Sequence, residues 1–87
     1  MINDPTIQEA ILRIRKMEKC FDMLLAARKN PIDPVHEKTL LAALKKYYEG
    51  GLWLYDYELD EKGLFPKDLK RGVLSQDAVY DFLSEIK

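Results

Sequence analysis

The densest group of potential ligands in this 87-residue chain is the run of carboxylates at Asp56, Glu58, Asp60 and Glu61. In a loop, such an alternation could bind Ca²⁺ or Mg²⁺, which prefer oxygen ligands. A calcium loop between two helices requires glycine at its sixth position and a carboxylate at its twelfth, but counted from Asp56 those positions hold Glu61 and Lys67. We therefore interpret the run as a solvated helix face and predict no metal and no cofactor.

The basic cluster of Lys67, Lys70 and Arg71 is the second candidate. Together with Trp53 it offers the cations and the ring that nucleic-acid surfaces use. Residues 52–87 nevertheless hold five basic and eight acidic residues, so this part of the chain is net negative. The balance argues against nucleic acid as a partner and predicts salt bridges between the cluster and the acids of the neighbouring helix.

Cys20 and His36 are the only cysteine and the only histidine. Neither has a neighbour in sequence that would complete a triad or a metal site, so we predict a packing role for Cys20, a surface position for His36 and no catalytic residue. A lone thiol fits a reducing compartment. Because the net charge is −1 and the start Met1–Pro5 does not resemble a signal peptide, we expect a cytoplasmic protein with no membrane contact.

Eight of the nine aromatic residues lie between Tyr47 and Phe82. They form either a core with polar groups satisfied at its rim or a patch that binds a partner, since tyrosine and tryptophan are enriched in both settings. For Trp53 we favour the core. For Tyr55 and Tyr57 both interpretations stay open.

Two long segments repeat apolar residues every three or four positions, which predicts two amphipathic helices. The first starts at Asp4-Pro5, carries Glu18 on its polar face and ends at Asn30-Pro31, and the second runs from Asp33-Pro34 to Gly50-Gly51. Aspartate caps a first turn that proline can occupy without losing a hydrogen bond. The short connection predicts an antiparallel helix hairpin.

A third, shorter helix is predicted over Leu52–Lys62, with Gly63 as its C-terminal cap. The alternation of its rings also fits a strand, but the chain has no second strand-like run to pair with it. Leu64–Leu74 is predicted as a connector with a helical turn over Lys67–Arg71.

The last helix is predicted to start at Ser75, whose hydroxyl can cap it. Its predicted buried stripe is Val79, Phe82, Leu83 and Ile86. The fold class is therefore all-α: a single helical domain over residues 1–87, in which a long antiparallel helix hairpin is followed by two shorter helices.

One long stretch has an individual signature. It reads Trp53-Leu54-x-Asp56-Tyr57-Glu58-x-Asp60-Glu61-x-Gly63-x-x-Pro66-x-Asp68-Leu69-Lys70-Arg71-Gly72-Val73-Leu74-Ser75-x-Asp77. With the Tyr47-Tyr48 pair and the first helix, this stretch resembles DUF4298, a family of small bacterial proteins described as a domain of unknown function. The resemblance implies a bacterial, all-helical, single-domain protein and transfers no catalytic residue.

Two hypotheses of function follow. The first is a non-enzymatic protein-interaction module that binds an unknown protein partner or a second copy of itself, motivated by the long apolar stripe of the first helix, for which the sequence shows no cover. Its possible partner-binding residues are Trp53, Tyr55, Asp56, Tyr57, Asp60, Lys70 and Arg71. The alternative is a small enzyme or ligand-binding protein that uses the acidic and aromatic segment 53–71, with Asp56, Asp60, Asp68 and Tyr57 around a pocket.

Overall fold

Helices account for all the regular structure in the computed structural model, which describes residues 5–75 and 77–85. In chain order the elements are α1 (Pro5–Ala26), α2 (Pro34–Glu49), α3 (Leu52–Glu61), a 3₁₀ helix (Gly72–Leu74) and α4 (Ala78–Glu85). The all-α prediction of a helix hairpin followed by two shorter helices is confirmed. No helix within these ranges is long and apolar enough to span a membrane.

Helix α1 ends earlier than the proline at position 31 predicts. After Ala26 the chain continues in turns, in which Arg28 N donates to Leu25 O (3.2 Å) and Lys29 N donates to Ala26 O (3.1 Å), each over three residues instead of four. Such shorter hydrogen bonds satisfy the last carbonyls of a helix that cannot continue. The predicted start at Asp4-Pro5 includes Asp4, which lies outside the described residues.

Helix α2 begins at Pro34, as predicted, although the Asp33 side chain makes no capping hydrogen bond, so the predicted cap is wrong.

Glycines define both ends of α3, as predicted. Gly51 has φ 98° and Gly63 has φ 73°, in the left-handed region that favours glycine. After α3, Leu64 N donates to Leu59 O (3.3 Å) and Gly63 N donates to Asp60 O (2.9 Å), the pattern of a Schellman motif.

The rest of the chain covers the apolar stripe of α1. Its buried apolar residues are Ala10, Ile11, Ile14, Met17, Cys20, Phe21 and Leu24. Helix α2 and the 3₁₀ helix pack against α1, and Phe82 of α4 meets Phe21 edge-on with 5.5 Å between ring centroids. The expectation that this stripe is left open for a partner is therefore wrong, because the segment after α3 folds back onto it.

The connector differs from its prediction in detail. Lys67 and Asp68 lie in a turn closed by the bond from Leu69 N to Pro66 O (3.2 Å), and the helical turn forms further on, over Gly72–Leu74. Helix α4 starts at Ala78 rather than at Ser75, which is extended (φ −63°, ψ 125°). In α4, Val79 and Phe82 are buried and Leu83 is half-buried, whereas Ile86 lies outside the described residues.

Candidate functional site

Asp56 is held in the interior by two residues from other helices. Its side chain is fully buried. Arg13 Nε donates to Oδ2 at 2.9 Å and Arg13 Nη2 donates to Oδ1, while the Tyr47 hydroxyl donates to Oδ2 at 2.7 Å. The fork of the guanidinium matches both carboxylate oxygens, which is the strongest common geometry for such a pair. This network joins α1, α2 and α3 at one point.

In this network the charged form of Arg13 and the neutral form of Tyr47 are stabilised. The hydrogen bond to Asp56 raises the pKa of Arg13. Burial, reinforced by the bond to Asp56, raises the pKa of the Tyr47 phenol. Groups that transfer protons near pH 7 need pKa values displaced toward neutrality, and these two are displaced away from it. The network is suited to structure rather than to proton transfer.

Val73 is held through both of its backbone polar groups. Glu18, buried on α1, accepts a hydrogen bond from Val73 N, and Trp53 Nε1 donates to Val73 O at 2.8 Å. A Cβ atom at Gly72 would lie 2.7 Å from Glu18 Oε1, so only glycine lets the carboxylate approach. The sequence pattern places Glu18 on the polar face of α1; that prediction is wrong because the carboxylate has a buried backbone donor to satisfy.

Two side chains of the basic cluster, those of Lys70 and Arg71, are bound to the rest of the chain. Arg71 Nε donates to Asp60 Oδ1 on α3 (2.8 Å), and its terminal nitrogens donate to the carbonyls of Leu69 and Pro66, each at 2.8 Å. The predicted salt bridge to the third helix is thus confirmed for Arg71. Lys70 instead reaches Asp22 on α1 (2.7 Å), an exposed pair that raises the pKa of the lysine.

The aromatic residues of segment 53–71 differ in exposure. Trp53 is 7% exposed, so its core interpretation is confirmed. Its ring lies between Tyr48 and Tyr57, with 5.1 Å between centroids on each side. Tyr57 is half-buried and stacked on the indole, whereas Tyr55 is 43% exposed. Of the seven predicted contact residues, Trp53 and Asp56 lie inside, and the other five keep side-chain surface: Tyr55 and Lys70 are exposed, and Tyr57, Asp60 and Arg71 are half-buried.

A groove of about 380 Å³ runs between α2 and α4. We call it the α2–α4 groove, and its lining is Leu41, Lys45, Tyr48, Glu49, Tyr80, Leu83 and Ser84. Tyr80 is 57% exposed, and Leu41, Tyr48 and Leu83 are only half-buried. A volume of this size is within the range of sites that take a ligand or a partner side chain. Apolar side chains open to solvent in a concavity are typical of contact surfaces.

Sequence reasoning missed this groove, although α2 carries a signal for it. The apolar positions of α2 come as adjacent pairs, Leu40-Leu41 and Tyr47-Tyr48, which make its stripe wider than one neighbouring helix can cover. Only Leu44 and Tyr47 become buried. Leu41 and Tyr48, on the side of the stripe that stays half-buried, line the groove.

Cys20 and His36 occupy the positions predicted for them. Cys20 is buried, and its thiol donates to Leu40 O at 3.2 Å. Burial raises the pKa of this thiol, which keeps it protonated and unreactive. His36 is exposed. Across residues 5–75 and 77–85, no group of three or more His, Cys, Asp or Glu side chains is arranged to hold a metal ion.

These observations define a class: a small all-helical protein whose conspicuous polar residues hold its helices together and whose open surface is an apolar groove. Residues 14–87 match the family described as Domain of unknown function (DUF4298), so the chain belongs to that family and the resemblance drawn from Trp53–Asp77 is confirmed. The matched region contains Glu18, Trp53 and Gly72. No curated protein and no solved structure matches the chain.

Proposed function

We propose that this protein is a non-enzymatic protein-interaction module and that the α2–α4 groove is its main contact surface. The observation that carries the proposal is the groove itself, a concavity with Tyr80 standing exposed at one wall and Leu41, Tyr48 and Leu83 half-covered. Tyrosine is enriched among the residues that contribute most of the binding energy at protein interfaces. A cytoplasmic location is part of the proposal, since the lone Cys20 thiol suits a reducing compartment.

The arrangement of charges supports binding over catalysis. The alternative, a small enzyme or ligand-binding protein built on Asp56, Asp60, Asp68 and Tyr57, needs carboxylates that are free to meet a substrate and that converge on a pocket. Asp56 is occupied on both oxygens by Arg13 and Tyr47, and Asp60 is paired with Arg71. Asp60 keeps part of its surface and Asp68 is exposed, but none of the three carboxylates lines the α2–α4 groove.

The predicted contact residues that keep surface have a secondary place in the proposal. Tyr55 and Lys70 are exposed, Asp60 and Arg71 are half-buried, and Tyr57 is half-buried beside the Trp53 ring. Tyr57 is linked to the groove through Trp53 and Tyr48, because the three rings lie in series. We propose that these residues add peripheral contacts, while Trp53 and Asp56 act by holding α3 in position.

The test uses affinity capture from cells that naturally express the protein, with two substitutions matched for chemistry. Tyr80→Lys places a charge in the groove, whereas Leu12→Lys places the same charge on α1 at a residue that is 65% exposed. Both variants should keep wild-type thermal stability because both residues are exposed. Proteins recovered with the wild type and with Leu12→Lys should be lost with Tyr80→Lys. Equal recovery with all three would contradict the assignment of the groove.

A further inference from the structure

Two opposite charges flank the groove on the α2 side. Lys45 and Glu49 are four positions apart, so they lie one helical turn apart on the same face of α2. Both are exposed, and neither has an ion-pair partner within the described part of the chain. The apolar wall formed by Leu41 and Tyr48 lies on the same helix face. The groove therefore offers one positive and one negative group at a fixed separation along a helix axis.

From this pattern we propose that the occupant of the α2–α4 groove is a second copy of the same chain, related by a two-fold axis that sets the two α2 helices antiparallel. With the axis midway between the two charges, Lys45 lies opposite Glu49 of the partner subunit, and Glu49 lies opposite the partner's Lys45. A two-fold interface requires a self-complementary surface, and this arrangement of charges has that property. The same symmetry buries the groove walls of both copies against each other.

The charge balance favours a second copy over a partner of strong charge. A groove that selects an acidic or a basic partner carries one sign of charge along its walls, whereas this groove carries Lys45 and Glu49 in equal number. The net charge of −1 also means that two copies approach without appreciable repulsion. The proposal rests on the proposed function, because it names the partner of the same surface.

The size of the groove sets the expected strength. Stable interfaces involve about 20–30 residues on each side, many more than line this groove. The dimer should therefore be weak and reversible, and it should become visible only as concentration rises. Analytical ultracentrifugation from about 10 µM to about 1 mM covers the dissociation constants expected for such an interface.

Charge reversal tests the pairing directly. In Lys45→Glu each copy presents two acids, and in Glu49→Lys each copy presents two bases, so both attractive pairs become repulsive. Each variant alone should dimerise about tenfold more weakly than the wild type, or not at all. An equimolar mixture of the two should dimerise again, since every pair between unlike copies is then attractive. Lys29→Glu, an exposed position in the turn after α1, controls for net charge and should behave as the wild type.

Each other outcome overturns the inference. A wild type that stays monomeric over the whole range contradicts it, and so does a dimer that both charge reversals leave unchanged, since that dimer uses another face. Circular dichroism of each variant excludes loss of fold as the cause. The proposed function is judged separately, because the Tyr80→Lys capture experiment reads the recovery of any protein that binds the groove, an untagged second copy included. If the wild type stays monomeric and Tyr80→Lys still abolishes the capture of a different protein, only the second-copy inference is contradicted.

Discussion

The interior between α1, α3 and the 3₁₀ helix contrasts with the surface between α2 and α4. In the interior, the described buried side-chain nitrogen and oxygen atoms all have a hydrogen-bond partner, and a charged residue from α1 meets a residue far along the chain at both Asp56 and Val73. Between α2 and α4, half-buried leucines, an exposed tyrosine and the exposed Lys45 and Glu49 surround an open groove. The first region fixes the arrangement of the helices, and the second leaves apolar surface that a partner can contact.

This difference changes how the aromatic and acidic stretch should be understood. Its acids and rings suggest a binding site when they are considered along the sequence. In three dimensions, Asp56, Asp60 and Trp53 are used to position the helices. Buried polar groups demand specific partners, so they generate a distinctive sequence pattern without any ligand. The groove is built from residue types that are common on any helix surface.

The largest predicted effect is a difference in the free energy of unfolding between a variant that removes a ring from the interior and one that removes a ring from the groove. Trp53→Ala removes a buried indole and its bond to Val73 O, so we expect a loss of about 3–5 kcal/mol in the free energy of unfolding. Tyr80→Ala removes a ring that is 57% exposed and should change it by less than about 0.5 kcal/mol. Urea denaturation of both variants measures the difference. Similar losses would mean that the α4 surface is as tightly packed as the interior.

The next effect concerns the contact of Glu18 with Gly72. Gly72→Ala forces the Glu18 carboxylate away from Val73 N, and Glu18→Ala leaves that buried donor without its acceptor. Each change should therefore destabilise the fold by about 2 kcal/mol. Because the added methyl group clashes with an atom that Glu18→Ala removes, the double variant should lose about 1–2 kcal/mol less than the sum of the two single changes.

The control for this cycle is Glu9→Ala, which removes an exposed acid from the same helix. Combined with Gly72→Ala, it should give a strictly additive loss, since distant sites do not couple. Urea denaturation measures all the variants. Additivity in the Glu18 cycle as well would show that the close approach of Gly72 to Glu18 has no energetic effect.

Local signals in the sequence were enough to place the helices, but not to identify the contacts between residues far apart along the chain. Pro34, Gly51 and Gly63 act on their own turn of the backbone, so the boundaries of α2 and α3 could be predicted closely. The bonds from Arg13 to Asp56 and from Val73 to Glu18 join residues 43 and 55 positions apart. No local pattern encodes such pairs, which is why Glu18 resembled a surface residue. The α2–α4 groove was equally hidden, since it depends on where α4 packs.

The smallest predicted effect depends on pH and concerns the Tyr47 phenol. At about pH 7, Tyr47→Phe should lower the free energy of unfolding by about 1–2 kcal/mol, because it removes the hydrogen bond to Asp56. In the folded protein the pKa of Tyr47 is raised by burial and by that bond, whereas in the unfolded chain it is near the ordinary value of 10.0. Above that value the unfolded chain has released the proton and the folded protein still holds it, so rising pH favours unfolding.

The advantage of the wild type over Tyr47→Phe should therefore be constant below about pH 9 and fall by about 1.4 kcal/mol per unit above about pH 10. Arg13, Cys20 and Lys70 also have raised pKa values, but both proteins contain them, so the difference between the two isolates the phenol. Urea denaturation of the wild type and of Tyr47→Phe at several pH values measures this difference in the free energy of unfolding. A difference that stays flat to about pH 11 would mean that the hydroxyl ionises as readily in the fold as in water. In that case the Asp56 network would be open to solvent, and the contrast between the closed interior and the open groove would no longer hold.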